Sequence, residues 1–293
     1  MAVYDRNFGI YQGQRTPTWS RFLILPRYAY QEVFQSRLFV AFLGFCFLLP
    51  FAGLLIIYLH HNLPVLSFPF LRQLRDAVPI NAAFFWQGLK NQGFLCFVLA
   101  LIVGPALISP DLRNNGLPLY LSRPFSRTEY VLGKVAVLAL LMSAITWIPG
   151  LLLFFFQSYL EGASWMGNNL SIASGIFIGS WIWIAVLSLL SLAVSAWVKW
   201  KPVARISLII LFFVPWVFAT VLSVTQSSWW GFMVALWPAL TMVWTRLFGL
   251  PVDASAYNGN PMPVGAAWFA LIACGLISLW LLSRRIRAYE VVR

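Results

Sequence analysis

The residues best suited to making ionic and hydrogen-bonded contacts crowd into residues 111–134, which read Asp-Leu-Arg-Asn-Asn-Gly-Leu-Pro-Leu-Tyr-Leu-Ser-Arg-Pro-Phe-Ser-Arg-Thr-Glu-Tyr-Val-Leu-Gly-Lys. The stretch is basic, rich in turn formers and flanked by long apolar runs. Its chemistry is that of recognition: guanidinium forks, amides and hydroxyls presented to a partner. Catalytic chemistry is poorly provided for. The only histidines, His60 and His61, are adjacent and form no H-E-x-x-H pattern, and read as interfacial polar residues. The acidic residues Asp5, Glu32, Asp76, Asp111, Glu129, Glu161, Asp253 and Glu290 are scattered, so no carboxylate pair suggests acid–base work. Asp253 is the one tempting acid, with nothing to support it. No G-x-x-x-x-G-K-[ST] phosphate loop occurs, so nucleotide chemistry, if the protein does energised work, belongs to another polypeptide. Cys46, Cys96 and Cys274 lie in apolar runs without metal or disulfide spacing and read as small buried hydrophobes.

Within the stretch, local rules give a detailed expectation. A spanning helix ends at Ser109-Pro110, and Asp111 caps a short helix through Arg113 and Asn114, its carboxylate taking the orphan N–H groups. Gly116 and Pro118 break that helix, and Leu117, Leu119, Tyr120 and Leu121 rest on the membrane face. Ser122 to Arg127, including Arg123 and Pro124, forms a turn. Ser126 caps the next helix, with Glu129 at capping-box spacing. Lys134, one turn on, snorkels to the surface.

The elements that must hold this segment are membrane helices. Of 293 residues, 61% are hydrophobic and 10% charged, with 15 Trp and a mean hydropathy of +0.80. Several runs reach the ~20 apolar residues a bilayer crossing needs. The expected fold class is all-α: a polytopic membrane protein with six transmembrane helices at residues 38–59, 93–109, 130–156, 171–198, 206–225 and 264–282. It is read as one domain, with a cytoplasmic amphipathic segment (1–37), a six-helix membrane unit (38–282) and a cytoplasmic tail (283–293). The polar N-terminal stretch lacks a cleavable signal pattern, so the first span is expected to act as an uncleaved insertion signal.

Charge placement orients the expected fold. Of the 20 Lys and Arg, only Arg72, Arg75, Lys90 and Arg246 fall on one side; all others fall on the opposite side. The positive-inside rule then puts both termini and the 111–134 loop in the cytoplasm and accounts for a net charge of +12 without nucleic acid. Residues 229–250 are apolar enough for a seventh crossing. That crossing would carry the basic tail outside, so a re-entrant or interfacial helical hairpin before the last helix is expected, with Trp229, Trp230, Trp237 and Trp244 suited to the headgroup zone. Residues 71–76 and 84–90 of the outer loop read as short interfacial helices, serving either to cap a cavity mouth or as plain surface packing. No ionisable residue lies well inside an expected span, which disfavours an ion-coupled transporter or an intramembrane enzyme. Gly175 and Gly179 permit close helix approach, within the chain or at a dimer seam. Ser188, Ser191 and Ser195 either line a polar path or bond back to their own backbone.

The 111–134 run resembles the hallmark of the type-2 ABC transporter permease family. In that family the loop between the second and third of six helices reads acidic–x–Arg/Lys–x–x–Gly, then Pro–aliphatic–Ser–Arg, then a hydrophobic residue and Gly–Lys. Asp111, Arg113, Gly116, Pro124, Ser126, Arg127, Tyr130, Gly133 and Lys134 occupy these places, and Phe125 stands where an aliphatic residue is usual. The resemblance implies a permease subunit of an ATP-driven exporter in a bacterial inner membrane, paired with a second permease copy or paralogue. ATP and Mg would bind a partner ABC ATPase, and no cofactor would bind this chain. It makes 111–127 one coupling element, with Asn114 and Arg123 also in the docking loop, and residues 18–37, with Arg21, Arg27, Glu32 and Arg37, a second. The competing reading is a structural or assembly subunit of a larger membrane complex that uses the same loop for docking.

Overall fold

In a computed structural model the protein is described over residues 24–62, 79–114 and 127–285, and the regular structure there is helical. In chain order the α-helices are α1 (Ile24–Phe34), α2 (Arg37–Asn62), α3 (Ala82–Arg113), α4 (Arg127–Ile145), α5 (Trp147–Glu161), α6 (Ala163–Asn168), α7 (Leu170–Trp197), α8 (Lys201–Gln226), α9 (Leu236–Leu247) and α10 (Val264–Arg285). Six units are long and apolar enough to cross a membrane: α2, α3, α4 with α5, α7, α8 and α10. The first, fourth, fifth and sixth match the expected spans closely.

An expectation about the second of these spans is corrected. The second does not begin at Gly93. Asn81, in extended backbone, accepts the N–H groups of Ala83 and Phe84 through its side chain, and α3 runs from there. Residues 84–90 are therefore the first turns of α3, not a separate interfacial helix; residues 71–76 lie outside the described residues. The third span is present as expected, α4 with α5, and is interrupted ahead of its proline. Pro149 offers no N–H to the Ile145 carbonyl, and Thr146 leaves helical geometry at φ −111°, ψ −93°. The Thr146 hydroxyl bonds back to the Met142 carbonyl at 2.7 Å, and α5 starts afresh at Trp147.

At the centre, α3 packs most extensively on α7, and around this pair sit α4, α5, α9 and α10. The interface uses small residues, as close backbone approach in lipid requires. A Cβ on Gly104 would collide with Ser191 Oγ, so a larger residue there would force Ser191 to move. Trp183 donates its indole N–H to the Gly93 carbonyl at 2.8 Å. Ser191 reaches the Ala100 carbonyl, and Ser188 reaches Met142 Sδ. These serines are buried and bond across to α3 and α4, neither backwards nor along an open path. By contrast α2, α8 and α10 expose apolar side chains such as Phe51, Leu55, Val217, Phe218, Phe269 and Leu276. Such faces would be a liability in water and are ordinary against lipid.

α9 spans 12 residues, about 18 Å, too short to cross a bilayer. It is nonetheless largely buried. Trp244 is fully buried and donates to the Gly179 carbonyl at 2.9 Å, while Phe248 packs on Gly175. The two glycines thus receive α9 from within the chain, and Trp244 belongs to the protein core instead of a headgroup belt.

Candidate functional site

The 111–134 run brackets the described ends of α3 and α4. Gly116, Arg123, Pro124 and Ser126 lie outside the described residues, as does Arg21 of the second element. What remains forms a compact site at one end of the bundle. α3 does not stop at Ser109-Pro110. It continues through Pro110 to Arg113, where a neighbouring helix bonds the residue just before the proline. The Ser109 N–H donates to Ser195 Oγ at 3.0 Å, and the Ser109 hydroxyl donates to the Val198 carbonyl at 2.7 Å. The end of α3 is thereby pinned to the end of α7.

Asp111 therefore sits inside a helix, where capping is not its role. Its Oδ2 accepts the Tyr130 hydroxyl at 2.6 Å and stands 3.0 Å from Lys134 Nζ. Tyr130 and Lys134 lie four residues apart on one face of α4, which lets both meet one oxygen of α3. Lys134 Nζ also lies 5.4 Å from the Tyr130 ring centroid, in cation–π range. Tyr130 is fully buried and Lys134 is 8% exposed, so the lysine is paired inside the bundle and does not snorkel. Gly133 is buried between them. A carboxylate with two strong donors is the arrangement that makes a buried charge tolerable.

Arg113, Asn114 and Arg127 are exposed around this cluster. They leave cationic and amide groups facing outward while the ionic cluster faces inward. In the second element, Arg27, Glu32 and Arg37 are also exposed. α1 packs against α4: the Tyr30 hydroxyl faces the Val137 carbonyl at 3.3 Å, and burial pushes its pKa up to about 12. Glu32 lies 3.8 Å from Lys201 at the start of α8, an exposed pair of little energetic worth. α1 thus abuts the helix that carries Tyr130 and Lys134.

At the other end of the bundle, His61 Nε2 is 3.1 Å from Glu161 and its Nδ1 is 3.0 Å from the Ile57 carbonyl, tying α2 to α5. Asp253 is solvent-exposed. The Ser255 hydroxyl and N–H hold its carboxyl below the usual range, which marks a turn-former and not a proton donor.

Sequence reasoning missed Gln92, which it placed in the outer loop. Gln92 is 5% exposed, and its Nε2 donates to the Cys46 carbonyl at 3.1 Å. That carbonyl lacks its helical partner because Pro50 has no N–H. The signal was present in Pro79 and Asn81, a start-of-helix pattern placed ahead of an apolar run. Compared with known protein families and curated proteins, the chain matches none.

Proposed function

We propose that the chain is the membrane-spanning permease subunit of an ATP-driven transporter of the type-2 ABC class, an exporter. In this reading both termini and the 111–134 loop face the cytoplasm of a bacterial inner membrane, and α9 with the preceding 3-10 turn (Trp230–Met233) is re-entrant from the outer side. Two such subunits pair above two ATPase subunits, which hold ATP and Mg. The chain itself supplies no catalytic group.

The observation that supports this reading best is the Asp111–Tyr130–Lys134 cluster. A loop that only connects two helices needs no buried ionic lock at its base. A loop that takes mechanical load does, because the lock makes the ends of α3 and α4 move together, and Ser109 extends the linkage to α7. The exposed Arg113, Asn114 and Arg127 supply donors for an ATPase surface above that base.

The test is co-purification from mild detergent with chemical cross-linking, followed by ATPase assay in liposomes. An ATPase subunit is expected to co-purify, and Arg127→Glu to abolish both its retention and lipid-embedded ATP turnover. Recovery of a stable assembly with no ATPase, together with full function of Arg127→Glu, would overturn the reading in favour of a docking subunit.

A further inference from the structure

A cleft of about 430 Å³ opens between α2, α3 and the α4–α5 break, in the half of the bundle remote from Asp111. This lies within the ~300–1,000 Å³ of small-molecule sites. Its walls are Leu49, Pro50, Gly53, Phe84, Leu153 and Ile176 among others, and none of the described lining residues is charged. The nearest cation on α3, Lys90, faces a neighbouring hollow and sits 4.2 Å above the Trp86 ring. The cleft therefore suits an uncharged, mostly apolar molecule.

One wall residue sets a further requirement. Gln92 lines the cleft, and its Nε2 is committed to the Cys46 carbonyl. Flipping the carboxamide would set two oxygens against each other, so the orientation is fixed by chemistry. Its Oε1 is then a buried acceptor closed to solvent and without a hydrogen-bond partner among the described residues. Such an atom costs free energy until a donor reaches it. The terminal torsion of glutamine is soft, so a small rotation turns Oε1 towards a donor in the cleft while Nε2 stays near Cys46. The broken backbone at Thr146, Pro149 and Gly150 lines the opposite wall. Irregular backbone at membrane depth is tolerated where protein or a cavity covers it.

We propose that this cleft binds a neutral amphiphile, an apolar body bearing one hydroxyl or amide N–H donor that hydrogen-bonds Gln92 Oε1. The proposal is independent of the coupling role assigned to 111–134, and its test needs no ATPase.

The test uses the purified full-length chain in phosphatidylcholine nanodiscs and three photoreactive probes of equal chain length: an alcohol, its methyl ether and the corresponding carboxylic acid. Adducts are mapped by mass spectrometry. The alcohol is expected to label peptides covering residues 49–56 and 84–92 at least fivefold above the exposed face of α8. It is expected to exceed the ether about fivefold, the worth of roughly one hydrogen bond. Gly88 lines the cleft and a Cβ there meets nothing within 4 Å, so Gly88→Trp fills the space without backbone strain and is expected to remove the preferential labelling. Gln92→Leu is expected to erase the preference for alcohol over ether. If that variant fails to fold, the comparison of probes on the wild-type chain decides. Even labelling of all lipid-facing helices would mean an adventitious additive only. Equal labelling by alcohol and ether, or preference for the acid, would likewise overturn the proposal.

Discussion

Removing either end of the Asp111–Lys134 pair strands the other, and the structure sets the size of the effect. The pair stands at 3.0 Å, and the two side chains keep 18% and 10% of their exposure. Truncating one partner of a fully buried pair costs about 3–5 kcal/mol. Residual exposure of Asp111 lets water relieve part of that, so Lys134→Met is expected to destabilise by about 2–3 kcal/mol, with the carboxylate still holding the Tyr130 hydroxyl. Asp111→Asn is expected to cost a similar amount because Lys134 is then the stranded charge. The double variant removes both charges and should cost clearly less than the sum, with a coupling of about 2 kcal/mol. Tyr130→Phe deletes a 2.6 Å bond to a carboxylate, worth about 1.5–3 kcal/mol. Exposed Arg113→Gln serves as control, with an effect within about 0.5 kcal/mol.

The assay is equilibrium unfolding in mixed micelles, read by the four single variants and the double. Additive costs for Asp111→Asn and Lys134→Met would refute the reasoning, since they would mean that the two charges are solvated independently. An Arg113→Gln effect as large as that of Lys134→Met would do the same, because the cluster would then have no privileged position.

Further outcomes are expected elsewhere. Gly104→Ala drives a Cβ into Ser191 Oγ and should destabilise by about 2–3 kcal/mol in the same assay; adding Ser191→Gly should recover most of it. Folded Tyr30 keeps its proton up to about pH 12, whereas the free side chain loses it near 10.0, so this stabilisation is complete below pH 10 and drains away between pH 10 and 12. Melting temperatures across that window should fall less for Tyr30→Phe than for the native chain. For Asp253 the sign is opposite: its lowered pKa supports the Ala254–Tyr257 turn above the usual carboxylate value of 3.8, and the support is lost as pH falls through the lowered pKa. Amide exchange across residues 255–259 should rise in that acid range, and in Asp253→Asn should show no such pH step.

The membrane class was legible because apolar run length and charge asymmetry are properties of composition along the chain. Asp111, Tyr130 and Lys134 were legible as special residues, but not their relation. Pro110 was taken as a helix stop, and the rule that proline ends helices assumes that no neighbour repairs the backbone. Here Ser195, 86 residues away, holds Ser109 beside the proline, and α3 carries Asp111 past it to meet α4. No local pattern encodes that contact. Gln92 was read as outer loop and Lys90 as part of a short interfacial helix because polar residues near an expected boundary look interfacial, although Asn81 marked the true start. Trp244 was misplaced for a different reason: a tryptophan serves a headgroup belt or a core equally well by composition, and only the facing Gly179 decides.

Several of the buried polar groups of this bundle sit where proline interrupts a helix. Gln92 answers the carbonyl freed by Pro50, Ser109 and Ser195 join helices beside Pro105 and Pro110, and the Thr146 hydroxyl turns back on Met142 ahead of Pro149. These repairs differ in their mechanical consequence. On α3 they run across to α7 on both sides of Pro105, through Ser191 to Ala100 and through Ser195 to Ser109, and Trp183 adds a third tie at Gly93. Two helices bonded at three levels resist bending at any one proline and move as a pair. At Thr146 the repair is mostly local: the hydroxyl bonds within its own helix, and the ties from neighbouring helices to Met142 are weak sulfur contacts, Cys96 Sγ on its carbonyl at 4.0 Å and the Ser188 hydroxyl on its Sδ at 3.9 Å. The α4–α5 joint is thus the softer element, and it lies between the Lys134 end of α4 and the wall of the cleft. On the coupling reading, a push entering at Asp111 and Lys134 travels rigidly along α3 with α7 and is taken up at Thr146. Gln92 and Asp111 stand about 28 Å apart along one such rod. The ionic end and the apolar cleft would then be linked by a change in the angle between α4 and α5, with α3 itself left straight.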